Sequence, residues 1–192
     1  TLATGAILVV IITIFAPLSG AHFNPVVSLV IAIRGEPGAR DALAYILVQI
    51  VGGCLGALFA HLMFGLDPLQ LSTTGRTGFP QWLAEFIATF GLLLTILGCV
   101  HFKPDAVAFA VGFYITSAYW FTASTSFANP AVTIARSLSD TFAGIAPSDG
   151  AGAGEPAAGR GRAAAPAAGD QGGPALRGAR SIECGAGFTR PQ

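Results

Sequence analysis

The chain has 192 residues, 53% of them hydrophobic and 10% charged, with a formal net charge of zero. Soluble domains carry about 25% charged residues, and no basic run stands out that would hold a nucleic acid. An ordinary soluble globule and a nucleic-acid partner are therefore both excluded.

The few charges sit between long neutral stretches. No Asp, Glu, Lys or Arg occurs from Thr1 to Ile33, from Ala42 to Leu66 or from Ala106 to Ala135, and Glu85 stands alone between Thr77 and Phe102. A helix needs about 20 mostly apolar residues to cross the hydrocarbon core, and each stretch can hold one. A helix on a soluble core keeps one polar face, whereas these are apolar on both. The sequence implies a multi-pass integral membrane protein with the lipid bilayer as its surroundings.

In chain order, residues 1–18 read as a membrane helix ending near Pro17. A break, Ser19-Gly20-Ala21-His22-Phe23-Asn24-Pro25, leads into the short apolar run Val26–Ile33, which is too short to span and reads as a re-entrant segment. A polar turn over Arg34–Asp41 precedes a second span, about Ala42–Phe64. Glycines four apart in that span, Gly52 and Gly56, allow close helix approach. After a Gly/Pro/Thr loop over 65–80, a third span runs from about Gln81 to Val100. The turn Phe102-Lys103-Pro104-Asp105 then leads to a fourth, about Ala106–Thr122. A second break, Ala123–Ala128, ends at Asn129-Pro130, which opens another short helix reaching about Leu138.

Residues 1–146 read as one membrane domain. From Pro147 to Gln192 more than half the residues are Gly, Ala or Pro, a mixture that buries too little apolar surface to fold alone. The expectation for 147–192 is a disordered tail, and a shifted reading frame in a GC-rich gene is the sharper hypothesis for its origin. An intact frame on resequencing codons 145–150 sinks that hypothesis. The chain starts at Thr1 inside an apolar helix and reads as a fragment, with no cleavable leader.

Arg34, Arg40 and Lys103 fall on loops that alternating topology puts on one side, against Arg76 on the long loop opposite. The positive-inside rule makes the first side cytoplasmic. Cys54, Cys99 and Cys184 have the spacing of neither a zinc site nor a disulfide framework. No metal, cofactor or catalytic residue is expected.

The decisive feature is a repeat. Phe23-Asn24-Pro25-Val26-Val27-Ser28-Leu29 is echoed by Ala128-Asn129-Pro130-Ala131-Val132-Thr133-Ile134. Asn is a good N-cap and Pro a good first helical residue, so one copy alone is an ordinary helix start. An odd number of crossings separates the two, so the half-helices enter from opposite faces and aim both positive ends at the midplane. The Asn24 and Asn129 amides then offer donors to a solute oxygen, while a cation meets the positive ends and is repelled. Broken backbone at this depth is tolerated where it lines a water-filled cavity. The pattern points to a pore.

These motifs resemble those of the major intrinsic proteins, the aquaporins and glycerol facilitators. Ser19 to Val26 resembles their first signature, with Val26 where Ala is usual. Asn129-Pro130-Ala131 resembles the second, and Ala84 to Phe90 resembles the fourth helix with Glu85 as its buried carboxylate, a structural brace for loop backbone. The resemblance covers about residues 1–146. It implies an all-α membrane protein, a right-handed bundle with two re-entrant Asn-Pro half-helices, here without the family's first and sixth helices, and a homotetramer in a bacterial inner membrane.

The resemblance also implies a four-residue selectivity filter at Thr4, Ser117, Ser126 and Val132, with Val132 where the family normally has Arg. These four are small and uncharged, so the opening is expected to be wide and to have lost one barrier to cations. Glycerol-like polyols, water and arsenicals are the expected solutes, the last because the pattern is similar to a branch linked to arsenic-resistance genes. His22 is a possible pore-lining residue or a hydrogen-bonded structural one. Arg136, one turn past Val132, either partly replaces the missing charge or faces the outer end of its half-helix. A non-functional remnant is the alternative. An energised transporter also uses inverted repeats and broken helices, but it would need more intramembrane acids than Glu85.

Overall fold

A computed structural model describes residues 1–35 and 37–150. The long neutral stretches become helices. Helix α1 is Leu2–Ser19, α2 Pro25–Ile33, α3 Ala39–Met63, α4 Phe79–Phe102, α5 Val107–Phe121, α6 Pro130–Ser137 and α7 Pro147–Gly150. A 3-10 turn, Pro104–Ala106, leads into α5. Among the described residues there is no strand.

Among the described residues three helices, α1, α3 and α4, are long and apolar enough to cross a membrane. They bury only 11%, 6% and 17% of their most apolar windows. Such helices offer hydrocarbon to their surroundings all round, as membrane helices do. The expected fourth span is shorter than the other three. Helix α5 has 15 residues, about 22 Å at 1.5 Å per residue, because the chain leaves the helix at Thr122 to enter the second break. Helix α1 runs past Pro17, which lies in its last turns, and ends at Gly20, whose left-handed backbone (φ 71°) brings its N–H to the Ala16 carbonyl.

Packing is closest where side chains are smallest. Helices α1 and α5 meet at Gly5 and Gly112. A Cβ on Gly112 would lie 2.7 Å from the Gly5 carbonyl and 2.5 Å from Val9 Cγ2, so the backbones touch. Without a hydrophobic drive between helices in lipid, such close approach is what holds them. Gly53 seats α6 on α3 in a similar way, against Ala135 and the Ala131 carbonyl. The Tyr114 hydroxyl fills the space beside Gly91 and donates to Ala88 O at 3.0 Å, which locks α5 to α4. The buried core joins Ile12, Ala88, Leu92, Val111 and Ile115 to Ala21 and Ala128, one from each break.

Residues 147–150, read from sequence as the start of a tail, form a helical turn instead. Asp149 accepts the Arg76 backbone N–H through Oδ2 at 2.6 Å, and Ala146 N–H donates to Thr74 O at 2.8 Å. These bonds tie the segment to the 65–78 loop. The rest of the expected tail lies outside the described residues.

Candidate functional site: a pore between two half-helices

Each half-helix begins on its asparagine. Asn24 has extended backbone and its Oδ1 accepts Val26 N–H at 3.0 Å. Asn129 does the same for Ala131 at 3.0 Å and Val132 at 3.3 Å. Side-chain oxygens thus satisfy amides that a helix start leaves unpaired. The amide nitrogens reach across. Asn24 Nδ2 donates to Ala128 O at 2.7 Å, and Asn129 Nδ2 donates to Phe23 O at 2.8 Å. The two N-termini therefore meet, each asparagine clamping the loop that leads into the other. One N–H of each amide is engaged in this clamp, and a carboxamide has two, so a second remains.

The breaks share a backbone. Four and three residues before Asn24 come Gly20 (φ 71°) and Ala21 (φ 47°), and one before it Phe23 (φ 47°). At the same offsets from Asn129 stand Thr125 (φ 63°), Ser126 (φ 47°) and Ala128 (φ 46°). Left-handed backbone is costly for non-glycine residues and clusters at functional sites. The second break is held by Glu85, whose Oε1 accepts Phe127 N–H at 2.9 Å and Oε2 accepts Ala128 N–H at 2.6 Å.

A cavity of about 720 Å³ passes this meeting point. It is lined by Pro104 and Asp105 near one end, by Asn24 and Asn129, and by Val132, Tyr119 and Arg136. A larger cavity, about 990 Å³, lies between α3 and α6 and is lined by neither asparagine, so the smaller is the pore candidate.

Residues 1–104 match the model of the family described as Major intrinsic protein. The chain belongs to the major intrinsic protein family. It is similar to Aquaglyceroporin AqpS of Rhizobium meliloti, 59% identical over 149 residues, covering 78% of this chain and 64% of that protein. Glycerol uptake facilitator protein-like 6 of Lactiplantibacillus plantarum is 28% identical over 153 residues, covering 74% of this chain and 70% of the relative. Aquaporin NIP1-2 of Arabidopsis thaliana is 31% identical over 105 residues, covering 49% and 35%. No solved structure matches. The chain spans 64% of the length of the first of these relatives. As a major intrinsic protein with membrane-capable helices, it is an integral membrane protein.

Most residues that the family resemblance assigns to the filter come together. Thr4, Ser126 and Val132 line the pore cavity. Ser126 is buried and its hydroxyl has no hydrogen-bond partner among the described residues. Ser117 does not join them. It is exposed, and its hydroxyl bonds back to Phe113 O at 2.9 Å. Helix α5 instead lines this cavity with Ala108, Val111, Ile115 and Tyr119. Those positions recur every three or four residues on one face, and Ser117 falls two residues off it. Because α5 is apolar on every side, no amphipathic stripe in the sequence marks Tyr119.

His22 also lines the cavity. Its Nδ1 lies 3.1 Å from Ser28 Oγ, which accepts from Gln49 Nε2 at 3.0 Å, and the imidazole centre lies 5.1 Å from that of the Tyr45 ring, the planes tilted by 32°. Pro25 is buried. Val26 and Pro130 line a third cavity, of about 380 Å³, that shares Phe127 and Asn129 with the first, and Ala131 packs toward Gly53 on α3. Neither third motif residue, Val26 or Ala131, lines the cavity that both asparagines border.

Also lining this cavity, the Arg136 guanidinium lies 4.6 Å from the centre of the Phe127 ring and donates from Nη2 to Tyr119 OH at 2.9 Å. Arg76 lies 5.5 Å from the same ring but lines the third cavity, on the other side of Phe127 and Asn129. Its Nε donates to Gly144 O at 2.8 Å and its Nη2 to Phe142 O at 2.7 Å. Burial, and then the positive charge of Arg136, push the Arg76 guanidinium below its ordinary value, while Glu85 pulls it back up. His61, buried at the end of α3, pairs with Pro68 O and Ser139 Oγ, both at 3.0 Å. These contacts fasten the 65–78 loop to the end of α6 and the segment that follows it.

Proposed function

We propose that this chain forms a passive channel for small uncharged solutes, glycerol-like polyols and water, moving along the cavity past Asn24 and Asn129. The observation that carries this reading is the lining of that cavity. Both amides border it, each with an N–H left for a solute oxygen, and the small side chains Thr4, Ser126 and Val132 border it as well. The unpaired, buried Ser126 hydroxyl fits a site whose partner is the passing solute, since buried polar groups are otherwise satisfied. The printed names of two relatives, an aquaglyceroporin and a glycerol uptake facilitator protein-like protein, agree with it.

Neutral arsenicals of similar size are a second solute class of the proposal. Thr4, Ser126 and Val132 are read as the selectivity filter and Glu85 as a brace for the second break. The working unit is proposed to be a homotetramer in a bacterial inner membrane, with no enzymatic activity. Stopped-flow light scattering on proteoliposomes tests the reading: glycerol flux well above empty vesicles supports it, and none refutes it. In the same assay Val132→Arg places a long charged side chain in the opening. Glycerol flux is expected to fall by about tenfold or more, with water flux falling less. Glycerol flux equal to the parent's would contradict the filter assignment.

A further inference from the structure

We propose that Arg136 is the cation-excluding residue of this channel, supplying from one turn farther along α6 the positive charge that position 132 lacks. The inference rests on the channel reading above and names a specificity residue within it. Four observations carry it. Arg136 lines the same cavity as Asn24, Asn129 and Val132. It follows Val132 by four residues within α6, which places the two on one face of that helix. Its guanidinium is held in place, 4.6 Å from the Phe127 ring centre and 2.9 Å from the Tyr119 hydroxyl. Phe127 and Tyr119 are neutral, so the contacts that hold the guanidinium leave its charge in force.

That last point separates Arg136 from its neighbours. The Glu85 carboxylate is bonded to the Phe127 and Ala128 amides. Arg76, though near the same ring, gives its side-chain donors to loop carbonyls and lines the third cavity. Arg136 is thus the guanidinium that a cation moving along the pore would meet. A fixed charge in a cavity walled mostly by apolar side chains repels a like charge at short range more than it would in bulk water. Tyr119 and Phe127 are its positioning residues. A neutral polyol feels no such repulsion and finds hydrogen-bond donors on the guanidinium.

The test uses the full chain in proteoliposomes and reads glycerol flux by light scattering and potassium flux by a voltage-sensitive dye. Arg136→Gln is expected to raise the potassium-to-glycerol flux ratio by about tenfold or more, and Arg136→Lys to return it toward the parent ratio. Tyr119→Phe, which removes only the hydroxyl that aims the guanidinium, is expected to raise the ratio by a smaller factor. An Arg136→Gln channel that conducts glycerol with the parent's potassium ratio overturns the proposal while leaving the channel reading intact. If Arg136→Gln fails to assemble and conducts nothing, Tyr119→Phe decides: a raised ratio supports the assignment and a parental ratio overturns it. A parent chain with no glycerol flux overturns the channel reading, and this inference with it.

Discussion

Replacing Glu85 by glutamine should damage the pore centre more than its small change in shape suggests. The carboxylate accepts Phe127 N–H at 2.9 Å and Ala128 N–H at 2.6 Å, one on each oxygen. Hydrogen bonds to a charged group contribute about 1.5–3 kcal/mol each. They oppose the tendency of Thr125, Ser126 and Ala128, all at positive φ, to relax toward ordinary backbone, a strain of about 1–3 kcal/mol per residue. Glutamine keeps one acceptor oxygen and turns an NH2 group toward the other backbone N–H, so at least one bond is lost and one buried donor is left unpaired. The expected destabilisation is about 2–5 kcal/mol. That corresponds to a fall of about 5–15 °C in the unfolding midpoint for a chain of this size. Trp82, one turn before Glu85 on α4, and Trp120 report unfolding by fluorescence in detergent, and glycerol flux reports the pore. Flux should drop by about tenfold or more, because the Asn129 amide is aimed by the loop that Glu85 holds. A Glu85→Gln protein with the parent's midpoint and flux would refute the argument, since it would mean that the strained loop holds its shape without a carboxylate.

Two further outcomes follow from backbone geometry. Gly112→Val should lower the unfolding midpoint by an amount worth about 1–3 kcal/mol, because its Cβ would enter the contact between α1 and α5. Gly56→Ala, whose Cβ meets nothing within 4 Å, should be neutral or slightly stabilising by helix propensity; equal losses from the two would show that the crossing is looser than it looks. Thr125→Gly should raise the midpoint by an amount worth up to about 1 kcal/mol, since a β-branched residue at φ 63° is strained and glycine is not. A lowered midpoint in the same fluorescence assay would show that the Thr125 side chain contributes more than its backbone loses.

The sequence reveals the parts of this structure that depend on composition and on a repeat. Stretches of span length with at most one charge mark α1, α3 and α4, and Asn-Pro preceding a short run marks α2 and α6 because cap chemistry is local. Helix α5 shows the limit. Its length depends on the depth at which the chain must leave the helix to reach Asn129, which no local signal encodes. Its pore face is equally hidden, since a helix apolar on all sides has no polar stripe, so Ser117 is assigned to the filter by alignment with the family and Tyr119 is missed. Arg136 is visible as a lone charge, but its side of the helix is decided by Phe127 and Tyr119, residues nine and seventeen positions away. Glycines four apart at Gly52 and Gly56 suggest a helix contact in sequence. The close helix contacts instead fall at Gly5, Gly53, Gly91 and Gly112, because spacing alone does not say which face meets a neighbour.

The backbone of the two breaks explains why they belong together. Ala21, Phe23, Thr125, Ser126 and Ala128 have no intrinsic preference for left-handed conformation, yet they adopt it at matching offsets from their asparagines. Local sequence cannot be the cause, because Gly-Ala-His-Phe and Thr-Ser-Phe-Ala share no residue at any offset. The bonds that cross between the breaks supply one. The residue just before each asparagine is the one whose carbonyl the opposite asparagine holds, Phe23 by Asn129 and Ala128 by Asn24. Each break therefore stabilises the strained turn of the other, and neither is expected to keep its shape alone. The second break has the Glu85 carboxylate as an added support and carries the heavier strain, with threonine where the first has glycine. The stronger brace thus stands where the backbone needs it more, which makes the pore centre one cooperative unit rather than two half-helices that happen to meet.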